Sequence, residues 1–449
     1  MMKFLPVLIA ILLSLANFQI FDSNKNQLSS EPIENKNPRN HLTQDSANRQ
    51  EVTAKVLSVS EASSKNIDEP EEEPFALDSD DNIRIIRLTW DVVPRAVKYK
   101  VSFEGQDAVS YTTGIEIQVR SNKPEFKITA LDFNNKTVKH NVKITETEDN
   151  PFSPRTTTEF DKMSSPPVYL VYSWIPAWQA DHYEIQLFKD GELYRDYLTE
   201  FHPKDDNFDF YDKIPVLEEG EYYWRVRGMD EFDEALTNWS EKNPGNSFTV
   251  TAPERFCALG DSITHGGGSI SVPPSTVVYN WENYCTFPIK NLGKSGDTTY
   301  KLLNRFEEDV LPFGPEVLFI MAGVNDFRSN ILGWDSVMNL SELRDKCKSY
   351  GITPVFITPT PLNPDLIRKV KFIENPPYDW KEQRAYICDW MKKQEHCIDI
   401  SEALSDGNGY LKAELAVDGL HPDAEGKKII GQAVENWLNN YLTGGNSNG

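Results

Sequence analysis

Two kinds of hydrophobic pattern divide the chain. Between about residues 82 and 250, apolar and polar residues alternate, as in 99–103 and 183–188, and this period of two is typical of half-buried β-strands. From residue 255 onward, short continuous apolar runs alternate with longer amphipathic segments. Such alternation predicts a parallel sheet whose strands are buried on both faces and covered by helices.

The apolar runs and amphipathic segments give approximate bounds for the elements of this C-terminal part. Strands are predicted at 255–259, 289–292, 317–322, 354–358 and 397–400, and helices at 298–311, 336–350, 380–394 and 424–441. Open parallel sheets bind ligands at the carboxyl ends of their strands. Polar residues that directly follow these strands are therefore the first candidates for a functional site.

An internal repeat runs through the strand-rich region. A tryptophan is followed after six, nine and eleven residues by an alanine, a tyrosine and a β-branched residue, and the pattern recurs 84 residues later. The two sets are Trp90, Ala96, Tyr99 and Val101, and Trp174, Ala180, Tyr183 and Ile185. A repeat of this kind predicts two related units. We expect two β-sandwiches, at 82–150 and 164–250, with the tryptophans in their cores.

Both units resemble fibronectin type III domains. The second carries the closer resemblance, because it also has Asn238-Trp239-Ser240 and a closing strand at 247–250, whereas the first is degenerate. Trp178 has no counterpart in the first unit.

The N-terminal 81 residues predict no packed structure. Lys3 precedes an apolar stretch at 4–15, and Ala16 is a small residue of the kind at which signal peptides are cleaved. Residues 1–16 are therefore predicted to be a signal peptide, with an uncleaved anchor as the alternative. Residues 17–81 are polar and acidic and predict a disordered linker, and 444–449 predict a disordered tail. We expect a secreted, periplasmic or cell-surface protein without a membrane span in its mature form.

Charge and cysteine content exclude several classes of partner. The chain has 46 basic and 69 acidic residues and a formal charge of -23, which argues against nucleic acid, since its binding depends on Lys and Arg. The five cysteines all follow residue 250 and do not form a disulfide framework, although pairing of Cys388 with Cys397 stays open. No cysteine pair has zinc-ligand spacing with a histidine, so we expect no metal and no other cofactor.

Candidate chemistry begins at Ser262, in a Gly-Asp-Ser corner directly after a predicted strand. A serine hydroxyl becomes a nucleophile when a histidine removes its proton and a carboxylate holds that histidine in one tautomer. His421 is the candidate base, and Asp418, three residues earlier in the same loop, is the candidate acid. His265, three residues after the serine, is interpreted as a pocket-lining or surface residue.

An acyl-transfer reaction also needs donors for the oxyanion of its tetrahedral intermediate. The backbone N–H of Ser262 at a helix start, the backbone N–H of Gly296 and the carboxamide of Asn325 are the three candidates, and each follows a predicted strand. Gly293 competes with Gly296 for this role.

These residues occur in four blocks that resemble those of the SGNH, or GDSL, hydrolase family. The resemblance covers about 254–443, and the blocks are Gly260-Asp261-Ser262, Asn291-Leu292-Gly293-Lys294-Ser295-Gly296-Asp297, Gly323-Val324-Asn325-Asp326 and Asp418-Gly419-Leu420-His421-Pro422. The resemblance implies a three-layer α/β/α sandwich with a flavodoxin-like parallel sheet. It implies the same catalytic and oxyanion roles as those given above.

The substrate is less specified. His265, Trp281 and Tyr284 are assigned as candidate substrate-binding residues, with core packing as the equal alternative for the two aromatic rings. Signal peptide, sandwiches and hydrolase blocks together predict a secreted serine esterase that removes short acyl groups, acetyl above all, from carbohydrate. A lipase or lysophospholipase, an acyltransferase, and a glycan-binding or adhesion protein with a vestigial hydrolase domain are the alternatives.

Overall fold

The computed structural model describes residues 83–200, 208–267, 273–370 and 374–444. The predicted signal peptide and almost all of the predicted linker and tail lie outside the described residues. The described chain belongs to one compact unit, Asp80–Gly449. Within it, two strand-rich regions precede an α/β region.

The first strand-rich region consists of two antiparallel sheets that enclose their own core. One sheet has the order β4-β1-β7 and the other β3-β2-β5-β6. Trp90 and Tyr99 pack at the centre of the core, with ring centroids 5.2 Å apart. The strands are β1 Arg84–Trp90, β2 Lys98–Phe103, β3 Gln106–Ser110, β4 Gly114–Val119, β5 Lys127–Leu131, β6 Thr137–Lys139 and β7 Ile144–Asp149.

The second strand-rich region repeats this arrangement of one three-stranded and one four-stranded sheet. The orders are β12-β9-β8 and β11-β10-β13-β14, and the rings of Trp174 and Tyr183 lie 4.9 Å apart. The strands are β8 Arg155–Thr156, β9 Val171–Ile175, β10 His182–Lys189, β11 Glu192–Leu198, β12 Asp209–Tyr211, β13 Gly220–Met229 and β14 Ser247–Val250.

The sequence repeat is therefore also a structural repeat. In the first region the hydroxyl of Tyr99 accepts a hydrogen bond from the backbone N–H of Val93 at 3.0 Å. In the second region the hydroxyl of Tyr183 accepts from Ala177 at 2.8 Å. Each tyrosine thus satisfies a buried backbone donor that would otherwise be unpaired. The resemblance of these regions to fibronectin type III domains continues to rest on the sequence.

The α/β region contains a five-stranded parallel sheet of order β16-β15-β17-β18-β19. The strands are β15 Phe256–Gly260, β16 Lys290–Gly293, β17 Val317–Met321, β18 Thr353–Ile357 and β19 Cys397–Ile398. The helices are α1 Ser262–His265, α2 Thr299–Asp309, α3 Val324–Arg328, α4 Gly333–Ser349, α5 Pro364–Val370, α6 Trp380–Met391, α7 Ser401–Leu404 and α8 Ala424–Leu442.

All the strands and helices predicted for this region are present within a few residues of their predicted bounds. The parallel sheet with covering helices is confirmed, since β15 and β17 are fully buried. The helices α3, α5 and α7 were not predicted. They have four to seven residues, too few to show the periodic apolar pattern on which the prediction of helices depends.

The second strand-rich region shares one hydrophobic core with the α/β region. Backbone hydrogen bonds cross between them, as from Val168 to the carbonyl of Asn291 at 3.0 Å. Side chains also connect them: the Tyr169 hydroxyl donates to Asp309 at 2.8 Å, and Ser173 and Ser275 are hydrogen-bonded at 2.9 Å. The second region is therefore a structural part of the α/β region rather than a separate module.

All five cysteines, which lie within the described residues, are free thiols. The pairing of Cys388 with Cys397 that the sequence left open is not formed.

Across the described parts of the chain, no helix combines the length and the apolar character needed to cross a membrane.

Candidate active site

Ser262 lies at the carboxyl end of the central strand β15, at the first position of the short helix α1. The Asp261 side chain caps this helix by accepting from the N–H of Ile263 at 2.9 Å, as is usual for an aspartate that precedes a helix. Gly260 makes the corner possible, because a Cβ there would collide with the side chain of Thr264. The strand, the glycine and the cap together fix the backbone of Ser262.

His421 and Asp418 lie in a loop whose ends are joined by an antiparallel bridge between Ala416 and Pro422. The hydroxyl of Ser262 lies 3.0 Å from Nε2 of His421, and Nδ1 of His421 lies 2.7 Å from Oδ2 of Asp418. Although 159 residues separate serine from histidine, the structure brings all three side chains into one hydrogen-bonded chain.

Asp418 is buried, and its surroundings favour the ionised carboxylate. Burial alone would raise the pKa of its carboxyl group, but the neighbouring His421 and several hydrogen bonds prevail, and the pKa is lowered. Its Oδ1 accepts from the backbone N–H groups of Leu420 and His421 at 2.9 and 2.8 Å. An ionised Asp418 can only accept, so Nδ1 of His421 carries the proton and Nε2 is free to accept from Ser262.

The three candidate oxyanion donors follow the neighbouring strands β15, β16 and β17. The backbone N–H groups of Ser262 and Gly296 donate to no acceptor among the residues that the structure describes. Gly296 has a φ of +81°, a conformation that glycine adopts without strain. The Asn325 carboxamide is buried, and its Nδ2 donates to the carbonyl of Asp297 at 2.9 Å, which leaves its second N–H available.

His265 occupies a different position from the one expected. It is 2% exposed, and both ring nitrogens are engaged: Nε2 donates to the carbonyl of Tyr169 at 2.7 Å, and Nδ1 accepts from the hydroxyl of Ser295 at 2.8 Å. Burial lowers the pKa of His265 to about 4, so the ring is neutral. The expectation of a substrate-binding or surface histidine is wrong, because this side chain connects α1 to the second strand-rich region.

Trp281 and Tyr284 also point to structural roles. Trp281 is fully buried and its ring packs edge-on against Phe319, with centroids 6.5 Å apart. Tyr284 donates to the carbonyl of Val278 at 2.9 Å and lies against α8, where a Cβ on Gly431 would come within 2.7 Å of it. Trp281 therefore has no ring face that could stack on a sugar, and the core alternative describes it better.

A buried lysine behind the nucleophile was missed by the sequence analysis. Nζ of Lys427 donates to the carbonyl of Ile263 at 2.6 Å, and the side chain is fully buried. Burial lowers the pKa of Lys427 to about 8, against the attraction of Glu282, Asp261 and Asp418. Its position in the sequence could have revealed it. Lys427 lies three and seven residues before Ile430 and Val434, a spacing that puts it on the buried face of α8.

A second missed cluster connects the glycine block to the nucleophile strand. The guanidinium of Arg305 binds Asp297 at 2.6 Å, Asp309 at 2.7 Å and the carbonyl of Gly260 at 3.1 Å. Because Asp309 also accepts from Tyr169, this arginine joins β15, the Gly296 turn and the second strand-rich region. The sequence did not identify this arginine, because the charged residues along α2 do not by themselves show that the partners of Arg305 are buried.

Residues 258–429 match the model of the GDSL-like lipase/acylhydrolase family. No curated protein matches the chain significantly.

Solved structures with similarity to the chain include three from bacteria. A GDSL-like lipase from Bacteroides thetaiotaomicron is 21% identical, with a TM-score of 0.34, and the match covers 42% of this chain and 89% of that one. A lipase/acylhydrolase from Enterococcus faecalis is 24% identical, with a TM-score of 0.34 and coverages of 41% and 95%. A catalytic mutant of an acetylxylan esterase from Geobacillus stearothermophilus is 19% identical, with a TM-score of 0.31 and coverages of 41% and 94%. The part of the chain that holds Ser262, Asp418 and His421 is therefore similar to the GDSL-like lipase/acylhydrolase family.

Proposed function

We propose that the protein is a secreted serine esterase that hydrolyses short acyl esters, acetyl above all, on carbohydrate. The observation that carries the proposal is the chain of two hydrogen bonds from Ser262 through His421 to Asp418, 3.0 and 2.7 Å long. An aligned serine, histidine and carboxylate is the arrangement by which unrelated hydrolases activate a serine hydroxyl.

In the proposed acylation step, Ser262 Oγ attacks the ester carbonyl while Nε2 of His421 takes its proton. The imidazolium that forms is stabilised by the ionised Asp418, whose carboxylate stays unprotonated. His421 then donates that proton to the departing alcohol oxygen. This leaves an acyl group on Ser262 and frees the alcohol part of the substrate.

The N–H groups of Ser262 and Gly296 and the carboxamide of Asn325 are assigned as the donors that stabilise the negative charge on the carbonyl oxygen. The two backbone donors have no acceptor within the described chain, so they are available to the substrate. Donors of this kind each contribute about 10²–10³ in rate. Deacylation repeats the sequence with water, which His421 deprotonates for attack on the acyl group.

The carbohydrate part of the proposal is supported by space beside the catalytic loop. A cavity of about 290 Å³ lies between residues 132–138 of the first strand-rich region and the segment just before Asp418, where Ala416 and Val417 line it. Arg95 reaches across from the first region to the carbonyl of Ala413 at 3.4 Å. This cavity adjoins the loop that carries Asp418 and offers room for part of a chain-like alcohol group.

The experiment that tests the proposal measures hydrolysis of p-nitrophenyl acetate, butyrate and octanoate. The wild-type protein is expected to prefer acetate, and Ser262→Ala is expected to lose at least about 10⁴-fold in kcat/KM while it retains its fold by circular dichroism. Asp418→Asn is expected to lose about 10⁴-fold, because the histidine tautomer is no longer fixed. Turnover by Ser262→Ala equal to that of the wild type would refute the assignment.

A lipase is the second candidate, and one surface feature favours it. Helix α4 and the residue before it expose Leu332, Trp334 and Met338, each more than half exposed, and Tyr386 of α6 is 49% exposed beside them. Exposed apolar residues in such proximity are typical of surfaces that contact lipid or protein. A preference for octanoate over acetate in the same assay would establish this alternative.

A further inference from the structure

Arg328 differs from the other partly or fully buried arginines of the described chain. It is the last residue of α3, three residues after Asn325, and positions three apart lie on the same face of a helix. Its guanidinium donates no hydrogen bond and makes no ion pair with any residue that the structure describes, and its Nε is buried without a partner. A buried guanidinium nitrogen without an acceptor is uncommon in proteins because its lost hydration is not replaced.

Arg384 is a comparable arginine that does have hydrogen-bond acceptors in the protein. Burial lowers the pKa of both Arg384 and Arg328. Arg384 nevertheless donates to the carbonyl of Pro359 and to the hydroxyl of Ser401, each at 2.9 Å. Arg305 likewise binds two carboxylates. Among the residues that the structure describes, Arg328 is therefore the one member of this group without a protein partner.

The surroundings of Arg328 place it beside the candidate active site. The carboxylates of Glu374, Asp418 and Asp261 lie close enough to attract its charge, yet none is within ion-pair distance among the described contacts. Asp418 belongs to the candidate triad, and Asp261 directly precedes the nucleophile. Arg328 also shares helix α3 with Asn325, so a group that it held would lie at the same edge of the sheet as an ester at Ser262.

A second set of cations lies next to the catalytic loop. The cavity that contacts Val417 is lined by Arg95, Lys136 and Lys369 and by one acidic residue, Asp132. The whole chain has a formal charge of -23. A cavity lined by three cations and one carboxylate therefore differs from the average composition and favours an anionic ligand.

We propose that Arg328 binds a carboxylate on the alcohol part of the substrate, so that the preferred substrates are acetylated carbohydrates that carry a carboxylate. The inference rests on the proposed function, because an acetyl group has no charge and the anion must then belong to the sugar. The planar guanidinium matches a carboxylate through two parallel hydrogen bonds. Substrate binding supplies the acceptors that Arg328 lacks among the described residues.

The test compares two substrates acetylated at the same hydroxyl, one on methyl glucuronoside and one on neutral methyl glucoside. The wild-type protein is expected to favour the glucuronoside by about 10- to 100-fold in kcat/KM, the range for hydrogen bonds to a charged group. Arg328→Gln is expected to bring this ratio close to one, and Arg328→Lys to an intermediate value because charge remains while the fork is lost. A wild-type ratio of one or less would overturn the proposal, as would an equal loss on both substrates in Arg328→Gln.

The matched control is Arg255→Gln, which removes the same charge at the opposite end of β15, where Arg255 pairs with Glu316. This variant is expected to keep the wild-type ratio. If Arg328→Gln does not fold, inhibition of wild-type p-nitrophenyl acetate hydrolysis decides the question: free methyl glucuronoside should inhibit at least about tenfold more strongly than methyl glucoside. Equal inhibition would overturn the inference, whereas absence of Ser262-dependent hydrolysis of p-nitrophenyl acetate would refute the proposed function itself.

Discussion

Both strand-rich regions contain the sequence repeat, and each consists of two sheets of its own. They are attached to the α/β region in different ways. The second region contributes Tyr169 and Trp174 to the same hydrophobic core as the nucleophile strand, whereas the first has a separate core. The first region instead meets its neighbours through local contacts, such as the bond from the N–H of Trp178 in the second region to Glu116 at 2.6 Å and the bond from Arg95 to the carbonyl of Ala413 at 3.4 Å. One module has thus become part of the candidate catalytic unit, while its relative has remained peripheral.

This difference matters most where the second region supports the site. The carbonyl of Tyr169 fixes His265, and the hydroxyl of the same residue binds Asp309, a partner of Arg305. Both contacts lie directly behind the helix and the glycine turn that present Ser262 and Gly296. We therefore expect perturbation of the second region to reach catalysis and perturbation of the first region to do so much less.

The largest expected effect comes from truncation. A form beginning at residue 151 removes the first region with its separate core, and it should fold and hydrolyse p-nitrophenyl acetate at close to the wild-type rate. A form beginning at residue 253 removes the second region as well and uncovers the shared core, so it should be insoluble or lack cooperative unfolding. A soluble, active form beginning at residue 253 would contradict the comparison.

Equivalent tryptophans of the repeat allow a finer test. Trp174→Ala and Trp90→Ala each remove a buried indole, at a cost of about 3–5 kcal/mol to the region concerned. The activity of Trp174→Ala should be lost at a much lower urea concentration than that of the wild type, since its core is shared with the site. Trp90→Ala should lose activity at nearly the wild-type urea midpoint; equal shifts in the two variants would show that both regions are coupled to catalysis.

The contrast between the regions also shows what could be predicted from the sequence. Strong period-2 and apolar-run patterns gave the strands and the parallel sheet, and the four blocks led to Ser262, Asp418 and His421. His265 and Trp281 could not be assigned in the same way, because their roles depend on partners far along the chain, Tyr169 and Phe319. A local sequence pattern does not show which distant part of the chain covers a side chain. Arg328 was missed for the related reason that an absent partner is visible only in three dimensions.

Acid should weaken the junction between the second region and α1. The pKa of His265 is lowered from 6.5 to about 4 by burial, so the unfolded chain binds more protons than the folded chain between these two pH values. The contribution of His265 to the free energy of unfolding therefore falls as the pH is lowered from about 6.5 to 4. We expect His265→Gln to lose about 1–3 kcal/mol of this pH dependence in urea titrations.

The control for this titration is His140→Gln, which replaces an exposed histidine of the first region. It should leave the pH dependence of unfolding unchanged. A wild-type pH profile that persists in His265→Gln would show that groups other than His265 dominate the acid response.

The smallest expected effects come from the two repeat tyrosines, which make the same bond in different surroundings. Tyr99→Phe and Tyr183→Phe each leave one buried backbone N–H, of Val93 or Ala177, without its acceptor, at a cost of about 1–2 kcal/mol. The bond that is lost is the same in both variants. Any difference between their urea midpoints of esterase activity therefore reflects how each region is attached to the α/β region. Tyr183→Phe should lower that midpoint and Tyr99→Phe should not. An equal decrease in both would mean that the first region, despite its separate core, also supports the candidate active site.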